Sequence, residues 1–185
     1  MIIPRITKPY EPGLPALGDD LENYLVVAGG SVTLKLEPGD KFKIINLEGL
    51  QQAELVAFNS KGECSMSPLS LKSEHKGELT KKILTSNEES AQIAYSKLKR
   101  LGHDVNSINQ SVLVFSKEAE ANSIEEFSSN DSSICIISAP GEFEITHENI
   151  PASELRVIVQ RLRKREEGEF LLPDPLMDPV EEIFV

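Results

Sequence analysis

The chain has 185 residues, with 19 Lys and Arg against 30 Asp and Glu, a formal net charge of −11. That length makes one domain, or one domain with appendages, and allows a core to be buried without staples. The acidic balance argues against nucleic acid and anionic membrane as main partners, because both need a basic face. Cys64 and Cys135 are far apart and in no metal-ligand spacing, so they read as reduced thiols of a cytosolic protein. Met1-Ile2-Ile3 is followed at once by Pro4 and Arg5 with no long apolar run, so no signal peptide is expected. No run approaches a membrane span, so a cytoplasmic location is expected.

Residues 1–22 hold Pro4, Pro9, Pro12 and Pro15 with Gly13 and Gly18. They read as an extended segment that lies along the surface or reaches a partner. A single β-rich domain is expected over residues 23–165. Its densest run of strand and turn signals is Tyr24 to Asn59. Val32, Leu34 and Leu36 alternate with Thr33 and Lys35, the period of a strand with one buried face. Pro38-Gly39 suits the centre of a type II turn. Phe42 and Ile44 resume the alternation with Lys41 and Lys43 on the other face, so the pair predicts a β-hairpin. A second reversal at Leu47 to Leu50 leads into Ala53, Leu55 and Ala57, which extends the hairpin into an antiparallel meander. Gly29-Gly30 marks a bulge or a chain crossing. A phosphate loop there would need a helix start to follow.

Residues 60–82 read as a polar loop with a short strand, a place where ligands are often held. His75 is its one group that titrates near neutral pH, against the plainer reading of an exposed histidine. Ser86 and Glu89 form a capping box for a helix from about Asn87 to Leu101, with Ala91, Ala94, Leu98 and Leu101 on one face. Lys97, Lys99 and Arg100 suit the helix C-terminus, and Gly102 is a C′ glycine. His103-Asp104 has the residue types of an acid-base pair but no nucleophile beside it, and reads as loop. Val112 to Phe115 is a short strand, Ala119 to Phe127 is helix-like, and Ser128 to Ser133 is a turn. Ile134 to Ile137 is a buried strand holding Cys135 as inert packing. Ala139-Pro140-Gly141 is a turn into Phe143 to Ile145, and Leu155, Val157 and Val159 mark a last strand.

Residues 166–185 read as a linker that ends on an apolar, strand-like Val180 to Val185. Both 20–27 and 178–185 are acidic approaches to a β-rich entry, so the end is expected to open a following module like the first. The fold class expected is mainly β with one or two helices (α+β), an antiparallel sandwich or distorted barrel with a helix on one side.

Gly29-Gly30-Ser31, Leu36, Pro38-Gly39-Asp40, Ile44 to Gly49, Gln52-Ala53 and Ala57-Phe58-Asn59 resemble the opening motif of the urea carboxylase-associated family. Ile137 to Gly141 and Pro151 to Val159 extend the resemblance to the end of the domain. Two functions travel with it. Some members resemble metal-dependent amidine hydrolases acting on carboxyguanidine. Others form the N-terminal part of proteins similar to the aminomethyltransferase (glycine cleavage T-protein) family, which uses tetrahydrofolate.

A catalytic zinc wants about three converging N, S or O ligands. The candidates are Cys64, His75, His103, Cys135 and His147, with no close ligand pair among them. The main reading therefore assigns no catalytic and no metal residue and no cofactor to this domain. It is an accessory binding module of a longer aminomethyltransferase-like protein of one-carbon or amine metabolism. Tetrahydrofolate would belong to the full-length protein. One alternative is an amidine hydrolase with zinc on Cys64, His75 and His103 or His147. The other is a small-molecule binding domain with a pocket between the meander and the helix. A downstream domain or partner subunit is the expected partner, with a small molecule and a homo-oligomer left open, and neither nucleic acid nor membrane.

Overall fold

The computed structural model describes residues 20–140 and 153–162. They form eight strands: β1 (Leu21–Val26), β2 (Ser31–Leu36), β3 (Lys41–Asn46), β4 (Ala53–Phe58), β5 (Val112–Val114), β6 (Ser123–Ser128), β7 (Ser133–Ser138) and β8 (Leu155–Gln160). Helices α1 (Glu78–Leu84) and α2 (Glu89–Arg100) lie between β4 and β5. One sheet has the order β1-β8-β3-β6 and the other β2-β7-β4-β5, all antiparallel. The pairs β1/β8, β2/β7, β3/β6 and β4/β5 follow from folding the first four strands back along the last four and winding the ribbon into two sheets. That is jelly-roll topology. The expected α+β sandwich is observed, as two sheets and not a closed barrel.

The meander is corrected. β2 and β3 belong to different sheets, as do β3 and β4, so Pro38-Gly39 turns the chain across the sandwich and closes no hairpin. The turn itself is as expected. Asp40 N–H donates to the Glu37 carbonyl at 3.0 Å, and Gly39 has φ +90. Its backbone is held by the β6–β7 connection, since Gly39 N–H donates to Ser129 O and Ser129 N–H to Asp40 O. Likewise Gly29 N–H donates to Ala139 O and Ala139 N–H to Gly30 O, so the β1–β2 glycines make a chain crossing. The crossovers run in pairs, as the wound ribbon requires.

Between the sheets lies an apolar core that includes Leu34, Leu36, Ile44, Leu55, Ile137 and Val157. A second core, with Val56, Phe58, Ile136, Leu84, Ala94 and Leu98, fills the space between the second sheet and the helices. β4 is consequently buried at all six positions. A strand covered on both faces loses the alternation that a half-buried strand shows.

Three further expectations change. Residues 119–127 are not helical; Ser123–Ser128 is edge strand β6, whose spacing-three apolar residues mimic a helix over a short span. Within residues 60–82 the chain makes a short 3-10 turn at Ser67–Leu69 and begins α1, which the loop reading missed. Helix α2 starts at Glu89 with Glu88 as N-cap and no side-chain cap, so Ser86 closes no capping box; its hydroxyl accepts from Glu88 N–H at 3.3 Å in the preceding turn. The C-terminal end agrees, with Gly102 at φ +86. Residues 1–19, 143–145, 147 and 166–185, and the expectations placed on them, lie outside the described residues.

Candidate functional site

Strand register sorts the first sheet into rows. On its outer face Leu21, Gln160, Lys41 and Ser128 lie across the four strands in one row. Asn23, Ile158, Lys43 and Glu126 form the next, and Leu25, Arg156, Ile45 and Ile124 the third. The intervening residues, among them Val159, Phe42 and Phe127, point into the sandwich, where the two Phe rings stack at 5.1 Å. No described helix packs on this outer face. Leu25 is 50% exposed and Ile124 49%.

The first two rows bound an open groove of 470 Å³, with Leu21 and Ile158 as apolar floor and Lys41, Lys43, Glu126 and Gln160 as polar lining. Such a surface can hold an extended chain or a flat apolar partner and select for negative charge at the lysines. The alternation Lys41-x-Lys43 was visible in the sequence, which placed both on the face opposite Phe42 and Ile44 and said nothing of a groove.

At one end of the groove sits a partly buried ion cluster. Arg161 Nε and Nη2 donate to the two Glu22 carboxylate oxygens at 3.1 and 2.7 Å, and Nη1 donates to Asp40 Oδ2 and to the Lys35 carbonyl, both at 2.7 Å. Tyr24 O–H donates to Glu22. Burial alone would raise the Asp40 carboxyl. Hydrogen bonds from Glu37 N–H, Arg161 and Leu162 N–H outweigh it and hold Asp40 below its usual range. Burial would lower Arg161, but its two carboxylates raise it, while burial and Glu22 together raise Tyr24. The cluster joins β1, β8 and the β2–β3 turn.

The second sheet carries a buried polar row on its helix side. Ser31, Ser138 and Glu54 are aligned across β2, β7 and β4. Ser31 Oγ and Ser138 Oγ are 2.7 Å apart, and Thr80 Oγ1 of α1 is 3.0 Å from Ser138 Oγ. The Glu54 carboxylate accepts from Thr80 N–H and from Ser111 O–H. Thr80 is the third residue of α1, so Glu54 satisfies a free N–H of the helix start from another strand. Gly77, the N-cap at φ +72, donates its N–H to Ser111 Oγ at 2.9 Å. A Cβ there would stand 2.2 Å from Ile108 Cγ2. The row is sealed, and its geometry docks α1.

The sequence-based ligand candidates are dispersed. Among the described residues no three His, Cys, Asp or Glu side chains are grouped to hold a metal. Cys64 is buried and accepts a weak bond from Asn109 N–H at 3.4 Å. His75 is exposed, and its backbone bridges to Ser111. His103 lies against the Phe58 ring at 4.4 Å; burial lowers its pKa, and a hydrogen bond to Gly62 opposes that only in part. Asp104 accepts from Asn106 N–H at 2.7 Å, opening a 3-10 turn, which leaves His103-Asp104 as the loop it was read to be. Burial pushes the Cys135 thiol up to about 12. His147 is outside the described residues. The pocket expected between the strands and the helix is corrected: that space is filled by Phe58, Leu84, Ala94 and Leu98, and the groove is on the other sheet.

The fold and surface thus define a jelly-roll sandwich with helices over one sheet and, among the described residues, none over the other. No family model matches the chain. The chain is similar to the trimethylamine-oxide aldolase of Ruegeria pomeroyi, at 30% identity over 191 residues that cover 100% of this chain and 24% of the aldolase. It therefore spans about a quarter of the length of that curated relative. Among solved structures it is similar to a DUF1989 family protein from Silicibacter pomeroyi DSS-3, with a TM-score of 0.49 and 12% identity, covering 78% of this chain and 80% of that one. Among the described residues no helix is long and apolar enough to cross a membrane.

Proposed function

We propose that this chain is an accessory binding module of a longer amine- and one-carbon-metabolising protein, and that it works by packing against other parts of that protein. The observation that carries the reading is the end-to-end similarity to one quarter of a trimethylamine-oxide aldolase. A segment of that proportion leaves room elsewhere in the polypeptide for the reacting centre, and for tetrahydrofolate chemistry of the aminomethyltransferase kind. The outer face of the first sheet supports the same reading, because a face with no described helix over it and with Leu25 and Ile124 half exposed is a surface suited to burial against a partner.

The test is to express the natural gene product with and without residues 1–185, and to supply the 185-residue chain separately to the shortened protein. The expected result is loss of trimethylamine-oxide consumption on deletion, with recovery when the two pieces associate. Turnover by the isolated 185-residue chain, or full activity of the shortened protein alone, would overturn the proposal.

A further inference from the structure

We propose that the outer face of the first sheet receives the part of the longer polypeptide outside residues 1–185, and that the surface docked there is apolar with carboxylates along one flank. The inference rests on the accessory reading and names the surface and the partner chemistry that reading leaves open. Along its strands this face has two different ends. Leu25, Arg156, Ile45 and Ile124 form the row at one end, and Val27 follows directly on β1. Leu25, Val27 and Ile124 are all exposed, and Ile45 is half-buried. Lys43 and Lys41 stand one and two rows away from Ile45, about 7 and 14 Å along β3. Neither lysine is in an ion pair among the described residues. Lys43 has Glu126 opposite it on β6, whereas Lys41 lies between Ser128 and Gln160, so the positive charge centres on Lys41.

Size and charge select the occupant. Four strands ~4.8 Å apart, each of six residues at ~3.4 Å, make a face of about 400 Å². Stable complexes between free proteins bury about 800 Å² on each partner, so this face holds a free second copy of the chain poorly. A partner in the same polypeptide is present at an effective concentration near the millimolar range and needs less area. The matched region is 24% of the aldolase, so most of such a polypeptide lies outside it. A surface laid on the Leu25–Ile124 row brings its rim over Lys43 and Lys41. Covering an ammonium group without a counter-charge is costly, so that rim has to carry carboxylates. Apolar contact supplies the attraction at one end, and charge pairing fixes the orientation from the other.

Zero-length carbodiimide cross-linking of the intact natural gene product tests the placement, using an equal mixture of ¹⁵N-labelled and unlabelled protein. Peptide mass mapping is expected to join Lys41 or Lys43 to an Asp or Glu outside residues 1–185, within one isotopic form. Leu25→Asp/Ile124→Asp removes the apolar contact and is expected to cut the yield of those links by about tenfold, while the amides of β4 and β7 keep their exchange protection. Should that variant unfold, Leu25→Ser/Ile124→Ser supplies the comparison. Links confined to residues 1–185 would put another part of this chain on the face and overturn the proposal. Links between isotopic forms would put a second copy there and do the same. So would an absence of links from both lysines, or an undiminished yield in the variant. This inference and the accessory reading fail separately. Fragments that associate and recover activity, in a protein without these links, remove the surface and keep the accessory role. Links in a protein whose shortened form is fully active remove the accessory role and keep the surface.

Discussion

The two sheets share an inner core but have different outer faces. On the second sheet, Val56, Phe58 and Ile136 face α1 and α2, and even the polar row of Ser31, Ser138 and Glu54 is sealed. On the first sheet the equivalent positions carry Lys41, Lys43, Ile45, Ile158 and Ile124 with no described helix over them. The cause is where the insertion falls. Residues 59–111, between the paired strands β4 and β5, return over their own sheet, and no described segment of that length serves the other. One sheet buries its outer face under helices, and no described helix covers that of the other.

The sharpest way to break this comparison is a matched pair of truncations. Ile136→Ala, on the covered face, is expected to cost about 4 kcal/mol of unfolding free energy, because it leaves a cavity between sheet and helices. Ile158→Ala, on the open face, is expected to cost about 1 kcal/mol or less. Urea denaturation of both variants reads the difference, and equal losses would mean that the outer faces are equivalent. Next in size, Glu54→Leu leaves Thr80 N–H and Ser111 O–H buried without their acceptor, a loss of about 3 kcal/mol. Its exchange signature is a loss of protection centred on α1, with the first sheet unaffected.

Arg161→Ala tests the seam between the two regions. It strips Glu22 and Asp40 of their cation, and because the guanidinium is partly solvated the expected cost is about 2 kcal/mol, below that of a fully buried pair. Its pH dependence has a definite sign. Asp40 is held below its usual value in the folded chain, so its contribution is present above the ordinary carboxyl pKa of about 3.9 and is lost as pH falls below it. Thermal unfolding between about pH 5 and 2 should flatten in the variant. The smallest effect belongs to His103. Its folded pKa is depressed, so the unfolded chain binds the proton first, and stability declines as pH falls through the window below about 6.5. His103→Phe keeps the ring on Phe58 and should remove that slope in a melting series from about pH 7 to 5.

The sequence reached local features and stopped at long-range ones. Strands β2, β3, β5, β7 and β8, the turn at Glu37 to Asp40 and the glycine end of α2 were legible, because alternation and turn chemistry act over a few residues. The partner of each strand was not, since β1 pairs with β8 across some 139 positions and nothing near Leu21 names Gln160. β6 was mistaken because two apolar residues three apart, Ile124 and Phe127, occur as readily on the two faces of an edge strand as on one face of a helix. α1 was missed because its start is capped from Glu54, far along the chain, and carries no cap of its own. Lys41 and Lys43 were correctly placed on an outward face, but only the strand order shows that Leu21 and Ile158 lie alongside to make a groove.

The Arg161 cluster has a consequence for how such a unit could be assembled. Arg161 N–H donates to the Asp20 carbonyl at 2.8 Å, so the first and last strands begin and end one strand-width apart. Entrance and exit share a corner, and the guanidinium fastens it. A unit of this shape can be spliced into a host loop, or have its old ends joined and new ones cut at a turn, with little displacement of what flanks it. The corner then serves as a hasp, and whatever is attached on either side of it enters and leaves by the same door.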